Sequence, residues 1–239
     1  LKTLESNTIH CVITSIPYWA LRVYDIDPVI WDGDPACEHV FKKTKHGKSV
    51  FKASEQENFC NCGAWLGCLG LEPTIDLFVK HVVDIFEEIR RVLRPEGTCW
   101  LNIGDNYAQS GTRYNKSQQL ADKRRAEAKG YHTQAFSGHS GWDRGVKSIG
   151  NGIKAKDLVG QPWMVAFALR AAGWYLRSDI IWEKTNQMPE SVKDRPSKTH
   201  EYIFLLTKSP KYYFDRVAIQ EKIAQETVSR SARAISNKN

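Results

Sequence analysis

Apolar and β-branched residues run together over residues 9–14 (Ile-His-Cys-Val-Ile-Thr), and a Ser-Ile-Pro-Tyr-Trp segment follows at once. A short apolar run closed in this way predicts a buried strand that ends in a loop. Asp27-Pro28, Asp32-Gly33 and Asp34-Pro35 then mark turns. The clearest periodicity lies further on. Phe78, Val82, Ile85, Phe86, Ile89 and Val92 recur at helical spacing and make one apolar stripe. Thr74 suits the N-cap of that helix, and Asp76 puts a favourable charge in its first turn. Arg90, Arg91 and Arg94 suit its C-terminal end, where Pro95 and Gly97 are expected to stop it. Thr98-Cys-Trp-Leu-Asn-Ile predicts a second buried strand. Strand, helix and strand in this order indicate an α/β sheet with crossover helices.

The remaining pattern is uneven. Residues 36–70 are irregular, rich in Cys, His and Lys, and predict an insertion. Residues 107–157 show no steady period, allow a short helix around Gln118 to Ala128, and predict a long functional or disordered loop. Pro162 fits the first turn of a helix that Gly173 would end at its C′ position. A strand is predicted over 174–182. Two more, over 201–207 and 211–215, are predicted to form a hairpin through Lys208-Ser-Pro-Lys. The tail from Ala218 is polar and weakly helical.

With 239 residues, 41% of them hydrophobic, the chain can bury one sizeable core. No apolar run approaches the roughly 18 residues of a membrane span. The start shows no signal-peptide pattern, which fits a cytoplasmic protein. Leu1 in place of Met suggests a chain cut at its start. The formal net charge of +7 favours a polyanion partner. Much of the excess is clustered, around Lys42 to Lys52 and from Arg113 to Lys154. Lys42, Lys43, Lys45, Lys48, Lys123, Arg124, Arg125 and Arg144 are candidates for neutralising phosphates.

Of six cysteines, Cys11 and Cys99 lie in apolar runs and are expected in the core. The other four crowd between positions 37 and 68. Without a secretory signal, metal binding is favoured over a disulfide framework. Cys37-x-His39 and Cys60-x-Cys62 offer four ligands suited to tetrahedral zinc, with Cys68 or His46 as substitutes for one member. Free thiols in a polar loop are the alternative. A catalytic zinc deaminase is disfavoured, because no His-x-Glu accompanies a Pro-Cys-x-x-Cys.

Thr14-Ser15-Ile16-Pro17-Tyr18-Trp19 resembles the Thr-Ser-Pro-Pro-Tyr-Trp motif of DNA amino-methyltransferases. Leu69-Gly-Leu-Glu-Pro-Thr, Leu93-Arg-Pro-Glu-Gly-Thr, Leu101-Asn-Ile-Gly-Asp-Asn-Tyr and Asp194-Arg-Pro-Ser-Lys-Thr-His-Glu-Tyr resemble further stretches of the same family, in order. The resemblance implies a Rossmann-like methyltransferase sheet, partial and in permuted order, with a Cys/His-rich insertion and the C-terminal hairpin. It also implies double-stranded DNA as partner, S-adenosylmethionine as methyl donor, base flipping, and the restriction-modification setting of bacteria and their phages.

An exocyclic amine is a poor nucleophile because its lone pair is delocalised into the ring. Acceptors on both N–H groups pull the nitrogen towards a tetrahedral, more nucleophilic state. By resemblance the acceptors are Ser15 and the carbonyl of Ile16, and Tyr18 stacks on the flipped base. Ser15, Pro17 and Trp19 are implied to touch the methionine end of the donor. Serine at the first position resembles the cytosine-N4 subclass, with adenine N6 or an RNA target as alternatives. Arg195 is implied to meet a phosphate, or else to make a salt-bridged strand entry with Asp194, His200 and Glu201. Asp105 is either a site residue at a strand's C-terminal end or a loop-capping carboxylate.

The chain departs from the pattern in two places. Ile16 stands where the family has Pro, which fixes φ and removes a donor. The Phe-x-Gly-x-Gly motif that holds the donor is not found. The expectation is a truncated chain, with a target-base core over 1–35 and 71–217, an insertion over 36–70, a DNA-facing loop over 107–157 and a linker from 218–239. A methyltransferase fold that grips DNA without chemistry is the competing reading.

Overall fold

The computed structural model describes residues 1–21, 26–41, 58–108, 152–154, 156–186 and 190–220. Lys42, Lys43, Lys45, His46, Lys48, Lys123, Arg124, Arg125, Arg144 and the short helix expected around residues 118–128 lie outside these residues.

The architecture is α/β around a mixed sheet. Its strands are β1 (Ile9–Ser15), β4 (Leu93–Ile103), β5 (Tyr175–Glu183) and β6 (His200–Thr207), in the order β1-β4-β6-β5. β1 and β4 are parallel; β4 with β6, and β6 with β5, are antiparallel. A separate two-stranded sheet pairs β2 (Val29–Trp31) with β3 (Trp65–Gly67).

Between the parallel strands runs α1 (Ile75–Val92), capped by the Thr74 hydroxyl, which accepts from the Leu77 N–H. Its stripe of Phe78, Val82, Phe86 and Ile89 is buried against alternate residues of β4, namely Cys99, Leu101 and Ile103. A second helix, α2 (Gln161–Ala171), has Pro162 in its first turn and adds Val165, Ala166 and Leu169 to the same core. Gly173 follows its cap at φ 94°, as the left-handed C′ position requires.

Three expectations need correction. Pro95 and Gly97 do not stop α1 in a loop; the helix passes straight into β4, which contains both. The pairing there jumps from Ile9↔Leu93 to Cys11↔Thr98. Residues 94–97 thus bulge out of the ladder, and a missing N–H at Pro95 costs no strand pairing. Gly97 fits because a Cβ there would come within 2.9 Å of the His10 carbonyl and 2.8 Å of Leu93. The predicted hairpin is also displaced. β6 pairs with β5 before it, and residues 211–215 are not a strand; Tyr213 only donates to the Glu96 carbonyl. Finally, Cys99 is buried but Cys11 is exposed, because Val12 and not Cys11 is in register with Cys99, which leaves Cys11 on the face of the sheet turned away from the core. No described helix is long and apolar enough to cross a membrane.

Candidate active site

The topology brings polar residues together at one end of the sheet. β1 and β4 are parallel, so Ser15 and the segment after Ile103 emerge side by side, with Ser15 in register with Asn102. β5 ends there at Glu183, and antiparallel β6 begins there at His200. Loops beyond the carboxyl ends of parallel strands are where such sheets bind ligands.

The Ser15–Trp19 segment is held from several directions. Ser15 is exposed, whereas the Ile16 side chain is buried in the core at 7% exposure. Trp19, 3% exposed, donates its backbone N–H to Gln161 Oε1 at 2.8 Å and its indole N–H to the Glu72 carbonyl at 2.9 Å. Its own carbonyl accepts from Asn106 Nδ2 at 2.9 Å, and Gln161 Nε2 closes the ring by donating to Asn106 Oδ1 at 3.1 Å. Ala20 donates to the Gly70 carbonyl at 2.8 Å. Gly70, at φ 90°, lies so close to Pro17 that a Cβ would sit 2.9 Å from the Pro17 Cβ. The loop thus has little freedom, although the proline expected at position 16 is an isoleucine.

Tyr18 is half-buried, its ring against Gly104, where a Cβ would meet Tyr18 Cε2 at 2.6 Å. Its hydroxyl donates to Asn102 Oδ1 at 3.2 Å. Asn102 in turn donates to Glu201 Oε2 at 3.2 Å, and Lys184 binds the other oxygen of Glu201. Burial first, then the negative charge of Glu201, pushes the Tyr18 phenol well above its ordinary value, so it stays neutral. Burial works to raise the Glu201 carboxyl, yet hydrogen bonds from Lys184, Tyr18 and Asn102 prevail and hold it below its usual range.

Asp105 follows β4 and accepts from the backbone N–H groups of Gly160, at 3.0 Å, and Gln161, at 3.2 Å. It therefore caps the start of α2, where backbone donors are otherwise unpaired. Burial pushes its carboxyl up, against the opposing pull of those donors and of Lys198. Arg195 pairs with Glu190 at 2.6 Å and lies 3.7 Å over the Tyr107 ring. Asp194 pairs with Lys156.

The segment beginning at Tyr107 leaves and returns at this same end. Val159 donates to the Asn106 carbonyl at 2.9 Å, Ala108 to Asp157 at 2.8 Å, and Lys156 to Ala108 at 2.7 Å.

The Cys/His-rich stretch also converges. One ligand atom from each of Cys37, His39, Cys60 and Cys62 lies within 4.8 Å of the others, a set that could bind zinc. The Cys62 backbone N–H and then the His39 ring pull the Cys60 thiol down to about 6. A hydrogen bond with Cys62 pushes the Cys37 thiol up to about 11. Cys68 stands apart, donating to the Ile26 carbonyl.

A family model described as DNA methylase, of the N6/N4 type, matches residues 9–239. The chain belongs to this DNA methylase family. It is 39% identical over 222 residues to the type II methyltransferase M.Cfr9I of Citrobacter freundii, covering 93% of this chain and 55% of the relative. It is 36% identical over 233 residues to M.SmaI of Serratia marcescens, covering 98% and 61%. The chain thus spans little more than half the length of these relatives. Among solved structures, the PvuII DNA methyltransferase (cytosine-N4-specific) aligns over 98% of this chain and 58% of its own, with 11% identity and a TM-score of 0.44.

Sequence reasoning named Ser15 to Trp19 and Glu201 but missed the supports Glu72, Asn102, Asn106, Gln161 and Lys184. Glu72, Asn102 and Asn106 lie inside motifs already singled out. Gln161, 142 residues from Trp19, gave no local signal.

Proposed function

We propose that this chain is the target-base half of an enzyme that methylates an exocyclic amino group in DNA, cytosine N4, with S-adenosylmethionine as donor. The observation that carries the reading is the exposed Ser15 beside a half-buried Tyr18 on a loop fixed by Gln161, Asn106 and Glu72. Ser15 Oγ and the Ile16 carbonyl accept the two N–H groups of the flipped base. That interaction localises the nitrogen lone pair and aims it. Tyr18 offers its ring for stacking, and its neutral phenol fixes the ring through Asn102. A methyl group on a sulfonium is the chemistry the donor supplies when bound. This chain offers its methionine end Ser15 and Pro17, with Trp19 as the buried anchor of that corner. Positioning of the amine in line with the methyl does most of the work.

Most of the stretch from Tyr107 to Lys156, expected to face DNA, lies outside the described residues. Arg195, held by Glu190 and Tyr107, shapes the strand entry and lies near enough to the Ser15 end of the sheet to meet a phosphate. Ile16 in place of proline favours a second reading, a chemically impaired member of the family that still grips DNA. Methyl transfer by the complete gene product carrying this chain decides between them. Removing the Ser15 hydroxyl deletes one transition-state hydrogen bond worth about 1.5–3 kcal/mol, so Ser15→Ala lowers kcat roughly 10- to 100-fold. Equal turnover in Ser15→Ala overturns the assignment of Ser15. No turnover in the wild type supports the impaired reading.

A further inference from the structure

The Cys37, His39, Cys60 and Cys62 cluster lies outside the site just described, and nothing in methyl transfer requires it. Its geometry is specific. Cys37 Sγ and Cys60 Sγ are 3.8 Å apart, and Cys62 Sγ and His39 Nδ1 are 3.3 Å apart. A tetrahedral zinc with Zn–S near 2.3 Å and Zn–N near 2.0 Å has S···S edges of about 3.8 Å and S···N edges of about 3.5 Å. The Sγ separation is also far beyond the roughly 2.05 Å of a disulfide.

Two tight turns present the ligands. In one, Cys60 donates to the Ala64 carbonyl at 2.8 Å and accepts from Gly63 at 2.9 Å, with Gly63 at φ 91°. In the other, Asp34 accepts from the N–H groups of Ala36, at 2.9 Å, and Cys37, at 3.0 Å. The turns press together so closely that a Cβ on Gly33 would lie 2.5 Å from the Ala64 Cβ. Beneath them β2 and β3 share only three residue pairs, and a two-stranded ribbon of that size is marginal alone. A metal bound at its tip would hold the two turns together.

We propose that these four residues bind one structural zinc ion. Three thiolates and one imidazole fill the four tetrahedral positions, which leaves no open place for a substrate and excludes a catalytic role. The clamp has a path to the methyltransferase loop. Asp32, in the turn after β2, meets His81 Nε2 at 3.1 Å, and His81 Nδ1 meets Glu72 Oε1 at 3.0 Å. The His81 ring is stacked between Trp31, at 4.5 Å, and Trp65, at 5.5 Å. Glu72 then accepts from the Gly70 N–H through its side chain and from the Trp19 indole through its carbonyl. Zinc at the tip thus fixes the β2–β3 arm on which the Glu72 and Trp19 contacts rest.

Metal analysis of the purified protein tests the proposal without reference to activity. The expected content is about one zinc per chain, with an X-ray absorption spectrum of three sulfurs and one nitrogen. Cobalt substitution is expected to give the intense visible bands of a tetrahedral thiolate site. His39→Cys is expected to keep the metal as a four-cysteine site, Cys60→Ser to lose at least tenfold in affinity, and Cys68→Ser to leave the content unchanged. Metal-free protein after expression with zinc supplied, an oxygen-rich or six-coordinate spectrum, or a Cys37–Cys60 disulfide overturns it. So does full zinc retention by Cys60→Ser. Where Cys60→Ser fails to fold, the wild-type absorption spectrum and His39→Cys decide the matter.

Discussion

Gln161 is fully buried, and its carboxamide ties α2 to the Ser15–Trp19 loop by accepting from the Trp19 N–H and donating to Asn106. Gln161→Leu keeps nearly the same volume and removes both bonds. The Trp19 N–H is left unpaired in a site with 3% exposure, at a cost of about 1–3 kcal/mol. The lost bond to half-buried Asn106 adds about 0.5–1.5 kcal/mol, since water reaches that group in part. The sum is about 1.5–4.5 kcal/mol. With an m-value of about 3 kcal/mol/M in urea, the unfolding midpoint falls by roughly 1 M at unchanged slope. Hydrogen exchange at the Trp19 amide is expected to accelerate more than at the amides of α1, because the loss is local. An unchanged midpoint together with unchanged Trp19 exchange refutes the claim that Gln161 fixes the loop.

Two carboxylates predict opposite pH effects. Asp105 is pushed up by burial, so the stability it contributes is present below its unfolded value of about 3.9 and is lost as pH rises through the folded value. Asp105→Asn keeps an acceptor for α2 and is expected to gain on the wild type as pH rises above about 4, whereas Asp105→Ala loses about 0.5–2 kcal/mol with the cap. Thermal unfolding from pH 3 to 7 checks this, and a gain for Asp105→Asn on acidification contradicts it. Glu201 is held low, so its contribution is present above its unfolded value of about 4.3 and fades as pH falls; the deficit of Glu201→Gln should shrink in acid, and a deficit that grows there is the opposite result. Ile16→Pro restores the fixed φ of the motif but deletes buried apolar surface, so it is expected to raise kcat while lowering stability by about 1–2 kcal/mol. A kcat no higher than wild type would show that Ile16 already aims its carbonyl well.

Most of what is periodic was legible. Thr74, Asp76 and the apolar stripe announce α1, and Pro162 and Gly173 bracket α2, because caps and stripes are local features. The errors came from strand partners, which are not local. Pro95 and Gly97 look like breakers, yet the jump in pairing between β1 and β4 lets both sit inside a strand. Tyr212 and Phe214 alternate as strand residues do, but β6 already has β4 and β5 on its two sides. The site divides in the same way. Ser15 to Trp19 stands out in the chain, while the groups that hold it come from 53 to 142 residues away. The Cys/His set was visible as spacing, and the fold supplied the convergence.

Nucleoside analysis of DNA decides whether methyl is transferred to an exocyclic amino group. Unmethylated DNA of varied sequence is incubated with the complete gene product and isotopically labelled S-adenosylmethionine, then digested to nucleosides and separated by mass. Label is expected in N4-methylcytosine, strongly reduced by Ser15→Ala. Label in N6-methyladenine would keep the chemistry and contradict the cytosine assignment. Label in 5-methylcytosine, or in no base at all, would rule out methyl transfer to an exocyclic amino group.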